Sequence, residues 1–548
     1  MTNKEFAEYL FPDVKDISYY ENLYKKRDLI DKAIVTRYAP SPTGSIHMGN
    51  LFQAFMAKQF ARQSGGVLFL RVEDTDHKRE VENGIDSIIT DVESFGIIFD
   101  EGYKKGGEYG PYLQSDRKEI YKSYVKYLVS KGLAYPCFCT TDEINNNRSI
   151  QEDNKERIGY YGKWATCRNL PIEVAKKKID DKMSYIFRLK SQGDFNKKHI
   201  YYDAIKGNLE YPENDMDIVI LKSDNLPTYH FAHAIDDHLM KTTHVIRGDE
   251  WVSSLPIHLE LFTLLGFDIP QYAHLAPLLK KDKDIVRKLS KRKDPEASVK
   301  YYHQLGFPIE VIKLYLSTVG NTNFEEWYLA NPNKKIEDFT FSFDKMAVGG
   351  TMFDLSKLEN ISKTYFSIQK PSDIFKDALI YFKEYDKEFA NILENNEDYT
   401  KKLLNIEKEV ERPRKDISTY SDIKLEFWYM YDELFDTISN PYDNVIKKYN
   451  SDELNILSAY INNIYLETDN EEMWFSKLKE YALQVKYAVN RKDYKEHPEN
   501  YRGQISDFCE MIRVMVTTKT ISPNLYDIMQ LLGSDKLKKR LKIFIVLQ

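Results

Sequence analysis

Cysteine is scarce in this sequence, with four among 548 residues. That density does not fit the disulfide framework of a small secreted domain. Long hydrophobic runs are missing too, since no apolar stretch approaches the roughly 18 residues that a membrane helix needs. The first residues carry acid where a signal peptide is apolar. We therefore expect a cytoplasmic protein.

An excess of basic charge is also absent. Lys and Arg number 78 against 85 Asp and Glu, a formal net charge of −7. A nucleic-acid partner would have to meet a local basic patch rather than a general positive field. The 42% hydrophobic and 14% aromatic residues can bury substantial cores, which excludes wholesale disorder. At roughly 150 residues per domain, the length predicts about three or four domains.

The first two thirds of the chain alternate strand and helix patterns. A helical pattern between two β-rich runs ends at Gly65-Gly66, which predicts a β-α-β unit. The alternation returns later, so we predict an α/β fold whose parallel sheet is interrupted by a long insertion. From about residue 354, apolar residues at three- and four-residue spacing predict helices, as at 372–391 and 452–466. The predicted strands are 34–39, 67–73, 217–222 and 243–247, and the predicted helices are 48–63 and 256–265.

Two segments have the composition of a nucleotide site. The turn after the first strand reads Arg37-Tyr-Ala-Pro-Ser-Pro-Thr-Gly-Ser-Ile-His47-Met-Gly49-Asn50, and the helix start that follows offers free N–H groups to phosphate. The second segment is a predicted basic loop at 287–293. Alone, a histidine before a helix is usually a cap, and a charge run is usually a solvated loop. Their occurrence in this order favours the nucleotide site.

These motifs resemble the signatures of the class I aminoacyl-tRNA synthetases. His47-Met-Gly-Asn50 stands in place of the HIGH signature, and Lys288-Leu-Ser-Lys-Arg292 in place of KMSKS. Residues 34–365 closely resemble the bacterial glutamyl-tRNA synthetases, whereas the C-terminal third does so loosely. The segments that carry the resemblance are Arg37–Gly44, Arg71–Asp76, Gly110–Ser115, Tyr229–Asp237, His244–Trp251 and Gly349–Asp354.

The resemblance implies a domain organisation. It consists of a class I Rossmann-type catalytic domain with an inserted acceptor-binding domain, then a stem-contact region and an all-α anticodon-binding domain. The expected boundaries are 1–33 for an N-terminal extension, 34–117 and 229–298 for the catalytic halves, 118–228 for the insertion, 299–367 for the stem-contact region and 368–548 for the helical domain.

The resemblance also implies ATP-dependent activation of L-glutamate to glutamyl-adenylate and its transfer to the 3′ end of tRNA(Glu), releasing AMP and diphosphate. The attacking α-carboxylate is ionised at pH 7 and needs no general base, so the enzyme must position groups and neutralise charge. His47, Lys288 and Lys291 are the expected catalytic residues, with Mg²⁺ on the phosphates. The expected ATP contacts are His47, Gly49, Asn50, Glu250, Trp251, Leu278, Leu279 and Lys291.

Two arginines are the candidates for recognising the glutamate side chain. Arg37 and Arg247 each lie at a strand end, where open α/β sheets place ligand contacts. A guanidinium matches a carboxylate but offers no acceptor to an amide. For Arg247, pairing with Asp249 or Glu250 is the structural alternative. The resemblance assigns further glutamate contacts to Ala39, Ser41, Glu73, Tyr229 and His233, the last of which is asparagine in most bacterial relatives.

Three of the cysteines lie close together in the insertion. Cys137-Phe-Cys139 followed by Cys167 is similar to a zinc site of some relatives, in which a Tyr-x3-Cys segment completes the set. Here five residues separate Tyr161 from Cys167, so the fourth ligand of a closed zinc site is not identified. Zn²⁺ and three buried thiols are both open interpretations.

The helical third holds the expected RNA contacts. Arg412-Pro413-Arg414, in a predicted helical context, resembles the place where relatives read the anticodon, although both arginines could simply be solvated. The expected partners are tRNA(Glu) and L-glutamate, for a monomeric enzyme without a membrane partner.

Several alternatives compete with this interpretation. A non-discriminating enzyme would also charge tRNA(Gln) with glutamate. A glutaminyl-tRNA synthetase is disfavoured by Arg247 and by the helical tail, and the length disfavours a tRNA-modifying relative or a small nucleotidyltransferase. A non-catalytic RNA-binding paralogue would be expected to have lost His47 or Lys291, and both are present.

Overall fold

The computed structural model describes residues 1–42, 44, 46–76, 81, 83–290, 292–332, 334–443, 445 and 448–548. The chain divides into two compact units, the first formed by 1–301 with 312–354 and the second by 302–311 with 355–548. The helices Val299–Leu305 and Ile309–Gly320 contain points of this division.

Parallel strands form the centre of the first unit. Val35–Tyr38, Val67–Leu70 and Glu101–Gly102 make one sheet in that order, and His244–Gly248 pairs with Gln271–Leu275 in another. The two sheets meet where the Thr243 backbone N–H donates to the Val35 carbonyl at 2.9 Å. The prediction of a parallel α/β sheet is confirmed.

The helix Met48–Gln63 has the bounds that the sequence predicts, because its start and end are determined locally. The Asn50 backbone N–H donates to His47 Nδ1 at 3.0 Å, and the His47 N–H donates to the Asn50 side chain at 3.3 Å. Gly65, with φ 65°, follows its end. The other helices of this unit are Asn3–Leu10, Ile17–Leu23, Gly84–Ser94, Lys118–Ser130, Thr141–Asp153, Ile172–Asp180, Tyr229–Leu239, Leu255–Leu265 and Phe324–Ala330.

The segment of the chain between the two parallel sheets has its own antiparallel strands. Ala134–Cys137, Ile186–Leu189 and Val219–Leu221 form one sheet, and Lys198–Asp203 forms a hairpin with Gly207–Pro212. The assignment of the predicted strand 217–222 to the parallel sheet is therefore wrong. Its apolar run predicts a strand but carries no information about which distant strand will pair with it.

A second hairpin carries the basic segment. Leu278–Asp282 pairs antiparallel with Ile285–Lys288, and Thr351–Met352 pairs parallel with its first strand. The predicted basic loop 287–293 thus begins within a strand, so the backbone of Lys288 is held by a hairpin.

The second unit is helical, as predicted, apart from the short strands Tyr487–Ala488 and Gly503–Gln504. Its core is rich in Phe, Tyr, Leu and Ile side chains. Within the described residues, no helix combines the length and the apolar character required to cross a membrane. The helices are Leu355–Ile368, Pro371–Tyr385, Lys387–Asn395, Glu397–Asn405, Tyr420–Phe427, Asp432–Phe435, Ser451–Ala459, Glu471–Gln484, Arg491–Glu496, Ile505–Thr517 and Leu525–Leu547.

Candidate active site

A cavity of about 1150 Å³ opens at the carboxyl ends of the parallel strands. This is where open α/β sheets place ligands, because strand ends and helix starts meet there. The cavity is large enough for an amino acid together with a nucleotide. The predicted site residues that line it are Arg37, Ala39, Ser41, Asn50, Glu73, Tyr229, Arg247, Glu250 and Trp251.

Arg37 reaches the cavity with its charge already paired. Its Nε donates to both carboxylate oxygens of Asp237 at 3.3 Å, and Arg71 donates to the same carboxylate at 2.6 Å and to Glu73 at 3.1 Å. Burial would raise the pKa of Asp237, but the charges of Arg71 and Arg37 outweigh it and lower this pKa. Arg37 is therefore fixed by the protein before any substrate binds.

Arg247 has a different environment. Its side chain donates to His274 Nε2 at 3.0 Å, His258 Nδ1 at 3.3 Å, the Tyr229 hydroxyl at 3.4 Å and the Trp251 carbonyl at 3.3 Å. The residue is only 2% exposed. Among the described residues, no carboxylate forms an ion pair with it. Arg247 is thus a buried cation held by neutral acceptors.

The alternative partners of Arg247 are engaged elsewhere. Asp249 lies 3.2 Å from Lys206 Nζ, and Glu250 lies 3.2 Å from Lys288 Nζ. Neither carboxylate neutralises Arg247, so the interpretation of this arginine as half of a structural ion pair is not supported by the geometry.

His233 lies behind the cavity wall. The residue is fully buried, and its Nε2 is 2.8 Å from the Tyr272 hydroxyl while its Nδ1 is 2.9 Å from Asp237. Its ring stacks behind that of Tyr229, with centroids 5.9 Å apart. Burial lowers the pKa of His233 to about 3, against the opposing effect of Asp237. This places His233 behind Tyr229 as a neutral support rather than as a residue that lines the cavity.

The predicted ATP contacts come from the start of the helix Met48–Gln63 and from the basic hairpin. His47 acts as the helix cap described above, and Lys288 reaches Glu250 at 3.2 Å. The Trp251 ring lies 4.3 Å from that of Tyr229. Gly49 is in the first helical turn, and Leu278 and Leu279 begin the hairpin. Lys291 lies outside the described residues.

The three clustered cysteines do meet in space. The sulfur atoms of Cys137, Cys139 and Cys167 all lie within 4.8 Å of one another. Tyr161, the sequence candidate for a fourth ligand, instead donates its hydroxyl hydrogen bond to the Arg157 carbonyl at 2.7 Å.

The neighbouring residue Tyr160 contacts the three cysteines. Its hydroxyl lies 3.4 Å from Cys137 Sγ and 3.3 Å from Cys139 Sγ, and it accepts from the Cys167 backbone N–H at 3.0 Å. Hydrogen bonds from Cys139, Cys167 and Tyr160 lower the pKa of the Cys137 thiol. Three sulfurs and one phenol oxygen thus converge on one point.

The two arginines proposed for anticodon contact occupy a loop, not a helix. The helix before them ends at Asn405, and the next begins at Tyr420. Arg412 is exposed. Arg414 is largely buried, pairs with Asp416 at 3.3 Å and stacks over Phe427 at 4.9 Å. Proline at 413 disfavours helix at its predecessor, which explains the loop.

The residues that orient the arginines were missed by sequence reasoning. Asp237 stands one turn after His233 on the helix Tyr229–Leu239, a spacing that could have indicated the pair. Asp203 and His274, which contact behind Arg247, are 71 positions apart and carry no local signal. Lys222 and Asp224 also line the cavity.

Comparison with known proteins assigns the class. The family model described as "tRNA synthetases class I (E and Q), catalytic domain" matches residues 33–360, and one described as "Anticodon binding domain" matches residues 492–545. The chain therefore belongs to the class I tRNA synthetases of the glutamate and glutamine type. The resemblance inferred from the motifs is confirmed.

Within that class, full-length similarity is to glutamate–tRNA ligases. The Acetivibrio thermocellus enzyme of that name is 44% identical over 99% of this chain and 100% of its own length. That of Sorangium cellulosum is 38% identical over 96% and 97%. A crystal structure of a glutamate tRNA ligase from Elizabethkingia meningosepticum, 24% identical, superposes with a TM-score of 0.74 over 94% of this chain and all of its own, which supports the fold.

Proposed function

We propose that the chain is a glutamate–tRNA ligase that activates L-glutamate with ATP and transfers it to the 3′ end of tRNA(Glu), releasing AMP and diphosphate. One observation carries the choice of amino acid. Arg247 presents a buried positive charge at the cavity wall and is held only by neutral groups among the described residues.

The contrast between the two arginines supports glutamate over glutamine. Arg37 shares Asp237 with Arg71, so its charge is largely balanced by the protein. Arg247 has no such partner among the described residues, and a buried unpaired cation is costly until an anion reaches it. The side-chain carboxylate of glutamate would supply that anion, whereas the amide of glutamine carries no charge. Tyr229 adds a hydroxyl beside the same guanidinium.

Glu73 is the proposed partner of the substrate ammonium. It lines the cavity and is 8% exposed. Burial raises its pKa, against the opposing charges of Arg71 and Arg37, so a further cation beside it would stabilise the ionised form. Ala39 and Ser41 line the same wall and leave room for the amino acid backbone. His233 acts indirectly, by supporting Tyr229 and Asp237.

ATP would occupy the end of the cavity near the helix Met48–Gln63. His47, Gly49 and Asn50 form its start, where backbone N–H groups and the helix dipole favour phosphate. Lys288, on the hairpin, and Lys291 would stabilise charge as diphosphate leaves. Trp251 and the backbone of Leu278 and Leu279 would bound the adenosine. Asp76 and Asp224 add carboxylates of the kind that Mg²⁺ accepts, and Mg²⁺ would offset the phosphate charge.

The tRNA would use the proposed domains in sequence. The insertion 118–228 would hold the acceptor end, residues 299–367 the stem and residues 368–548 the anticodon. tRNA(Gln) is a second possible substrate of the same site, since amino acid choice and tRNA choice are made by different parts of the chain. The proposed enzyme acts as a monomer in the cytoplasm, where charged tRNA is used.

Zn²⁺ is the proposed ligand of the cysteine cluster. Thiolates are preferred zinc donors, and a closed structural site takes four donors, for which we propose the Tyr160 oxygen as the fourth. Cys137, Cys139, Cys167 and Tyr160 supply that number. When bound, the metal would stabilise the fold of the insertion.

ATP–pyrophosphate exchange tests the proposed function. Glutamate should support exchange, measured with and without tRNA(Glu), and glutamine should not. Charging assays with purified tRNA(Glu) and tRNA(Gln) would then separate a discriminating from a non-discriminating enzyme. Absence of exchange with glutamate in both conditions would reject the assignment.

A further inference from the structure

Arg247 is held by an imidazole that is itself held by a buried carboxylate. Asp203 Oδ2 lies 2.7 Å from His274 Nδ1, and His274 Nε2 lies 3.0 Å from Arg247 Nε. Asp203 and His274 have no exposed surface. The three side chains therefore form a line that ends at the cavity wall.

The protonation state of His274 follows from its two neighbours. A guanidinium has only donors, so His274 Nε2 must accept from Arg247 and carry no proton. The proton of the neutral ring is then on Nδ1, where Asp203 accepts it. Burial lowers the pKa of His274, although the bond to Asp203 opposes this effect. The ring is consequently a neutral acceptor in one fixed tautomer.

We propose that Asp203 and His274 are positioning residues that fix the direction of the Arg247 guanidinium and thereby strengthen selection of glutamate over glutamine. The inference rests on the proposed function, because it assumes that Arg247 meets the substrate carboxylate. Asp203 and His274 themselves act through Arg247 and need not contact the amino acid.

The contacts of the second Asp203 oxygen, Oδ1, determine how an asparagine amide would be oriented at this position. Oδ1 accepts backbone N–H bonds from Ile205 at 3.0 Å, Lys206 at 2.8 Å and His274 at 3.3 Å. In Asp203→Asn the amide oxygen must take this position, since three donors converge on it. The amide NH₂ then faces His274 Nδ1 and forces the ring proton to Nε2. The Nε2 proton would then face the Arg247 Nε–H, donor against donor. The guanidinium would lose its hydrogen-bond acceptor and would no longer be held in one orientation.

A purely electrostatic role for Asp203 predicts the opposite effect of Asp203→Asn on glutamate binding. Asp203→Asn removes a negative charge one imidazole away from Arg247, which raises the positive potential at the cavity wall. If Asp203 acted only through its charge, the variant would bind glutamate more tightly. The direction of the change in KM therefore distinguishes positioning from long-range electrostatics.

The experiment measures ATP–pyrophosphate exchange by the full chain, with tRNA(Glu) present, for glutamate and for glutamine. Asp203→Asn should raise the KM for glutamate by about 10- to 100-fold, the range expected for a lost hydrogen bond to a buried charge. The kcat should change less, and any glutamine activity should change little. In an Arg247→Ala background, Asp203→Asn should cause no further loss. Asp249→Asn is the matched control, since that carboxylate pairs with Lys206 instead.

A second pair of variants, at His274, tests the positioning role if Asp203→Asn does not fold. His274→Gln retains an amide oxygen that can accept from Arg247, whereas His274→Leu does not, so His274→Gln should keep more of the preference for glutamate. The proposal is overturned if the wild type activates glutamate but Asp203→Asn leaves its KM unchanged or lowers it, or if the two His274 variants lose selectivity equally. A wild type that fails to activate glutamate would instead count against the proposed function.

Discussion

The two arginines at the cavity wall have the same side chain but different electrostatic states. Arg37 is balanced by Asp237, and Arg247 is surrounded by neutral acceptors. A carboxylate substrate should therefore gain more from Arg247 than from Arg37. The identity of an arginine predicts that it can bind a carboxylate, but its partners decide whether it still has charge to offer.

The first prediction concerns Arg247→Ala. Loss of a desolvated charge pair should reduce kcat/KM for glutamate by about 3–5 kcal/mol, a factor of roughly 10² to 10⁴, whereas glutamine should lose little because it never used the charge. Exchange assays with both amino acids measure this. Arg62→Ala, on the helix Met48–Gln63 and bonded to Gln59, is a control that should leave both activities unchanged. Equal proportional losses for the two substrates would make Arg247 purely structural.

The second prediction concerns acid stability and His233. Its pKa is about 3 in the folded protein against an ordinary 6.5, so its contribution to stability is full above pH 6.5 and is lost as the pH falls towards 3. As the pH falls, His233 takes up its proton at a higher pH in the unfolded chain than in the folded protein, which favours unfolding. The charged and titratable groups around it are Asp237, Arg37, Arg247, Tyr229, Tyr272 and His258, and burial is the main cause of the shift.

His233→Asn should reduce the loss of unfolding free energy that occurs as the pH falls below 6.5. Asparagine can still bond the Tyr272 hydroxyl and Asp237 but does not titrate, so the slope of unfolding free energy against pH should fall by up to about 1.4 kcal/mol per pH unit between pH 6 and 4. Thermal or urea unfolding at several pH values measures the slope. A variant slope equal to that of the wild type would assign the acid sensitivity to other groups, such as His230, whose pKa is about 4.

Among the elements, the N-terminal extension is an integral part of the first unit. Arg27 pairs with Glu101, donates to the Met240 carbonyl at 3.1 Å and lies 3.7 Å from the Tyr109 ring centroid. Nearer the N-terminus, Tyr9 bonds Asp180 in the predicted insertion. The extension thus contacts both the predicted catalytic halves and the predicted insertion.

The third prediction follows from these contacts. Arg27→Ala should destabilise the first unit by about 2–4 kcal/mol, because it leaves the largely buried Glu101 without its partner. Lys15→Ala is the matched control in the same extension, since Lys15 is exposed and lies over the Tyr19 ring, and it should change stability by less than about 0.5 kcal/mol. The unfolding midpoints of the variants provide the measurement. Similar midpoints for the two would show that the extension contributes no stability through Arg27.

The fourth prediction compares two adjacent tyrosines in the insertion. Protein purified without chelator should contain about one zinc per chain. Tyr160→Phe should release that metal to a chelator faster than the wild type, because it removes a donor, whereas Tyr161→Phe should not. Elemental analysis and chelator kinetics measure both. Metal-free protein that is stable and active would instead support three thiols without a metal.

At the scale of the whole molecule, local signals predict elements and non-local contacts decide the site. The helix Met48–Gln63 could be predicted to the residue because its cap and terminal glycine are sequence neighbours. The sequence predicts the strand at 217–222 but not its antiparallel partner Ile186–Leu189, since a strand's partner is not encoded locally. The sequence does not show that Tyr160 rather than Tyr161 contacts the cysteines, because spacing does not reveal which of two neighbouring side chains points towards them. The pairing of Asp203 with His274 depends on the packing of a hairpin against a sheet, which no spacing rule predicts.

The last prediction concerns how an acidic protein, with net charge −7, recognises tRNA. Only local groups can serve, and in the loop between Asn405 and Tyr420 the exposed Arg412 is available while Arg414 is committed to Asp416. Arg412→Ala should therefore raise the KM for tRNA(Glu) by about tenfold, consistent with a lost base contact, and leave the KM for glutamate unchanged.

The neighbouring Lys415→Ala provides the matched comparison. Lys415 is also exposed, and its Nζ bonds the Thr364 hydroxyl at 3.1 Å. If it meets RNA it does so as a point charge towards phosphate, so its effect should be smaller and should vanish as salt increases, whereas a base contact through Arg412 should persist. Charging kinetics at several salt concentrations separate the two. Equal, salt-sensitive losses for both variants would mean that Arg412 contributes charge to this loop without reading a base.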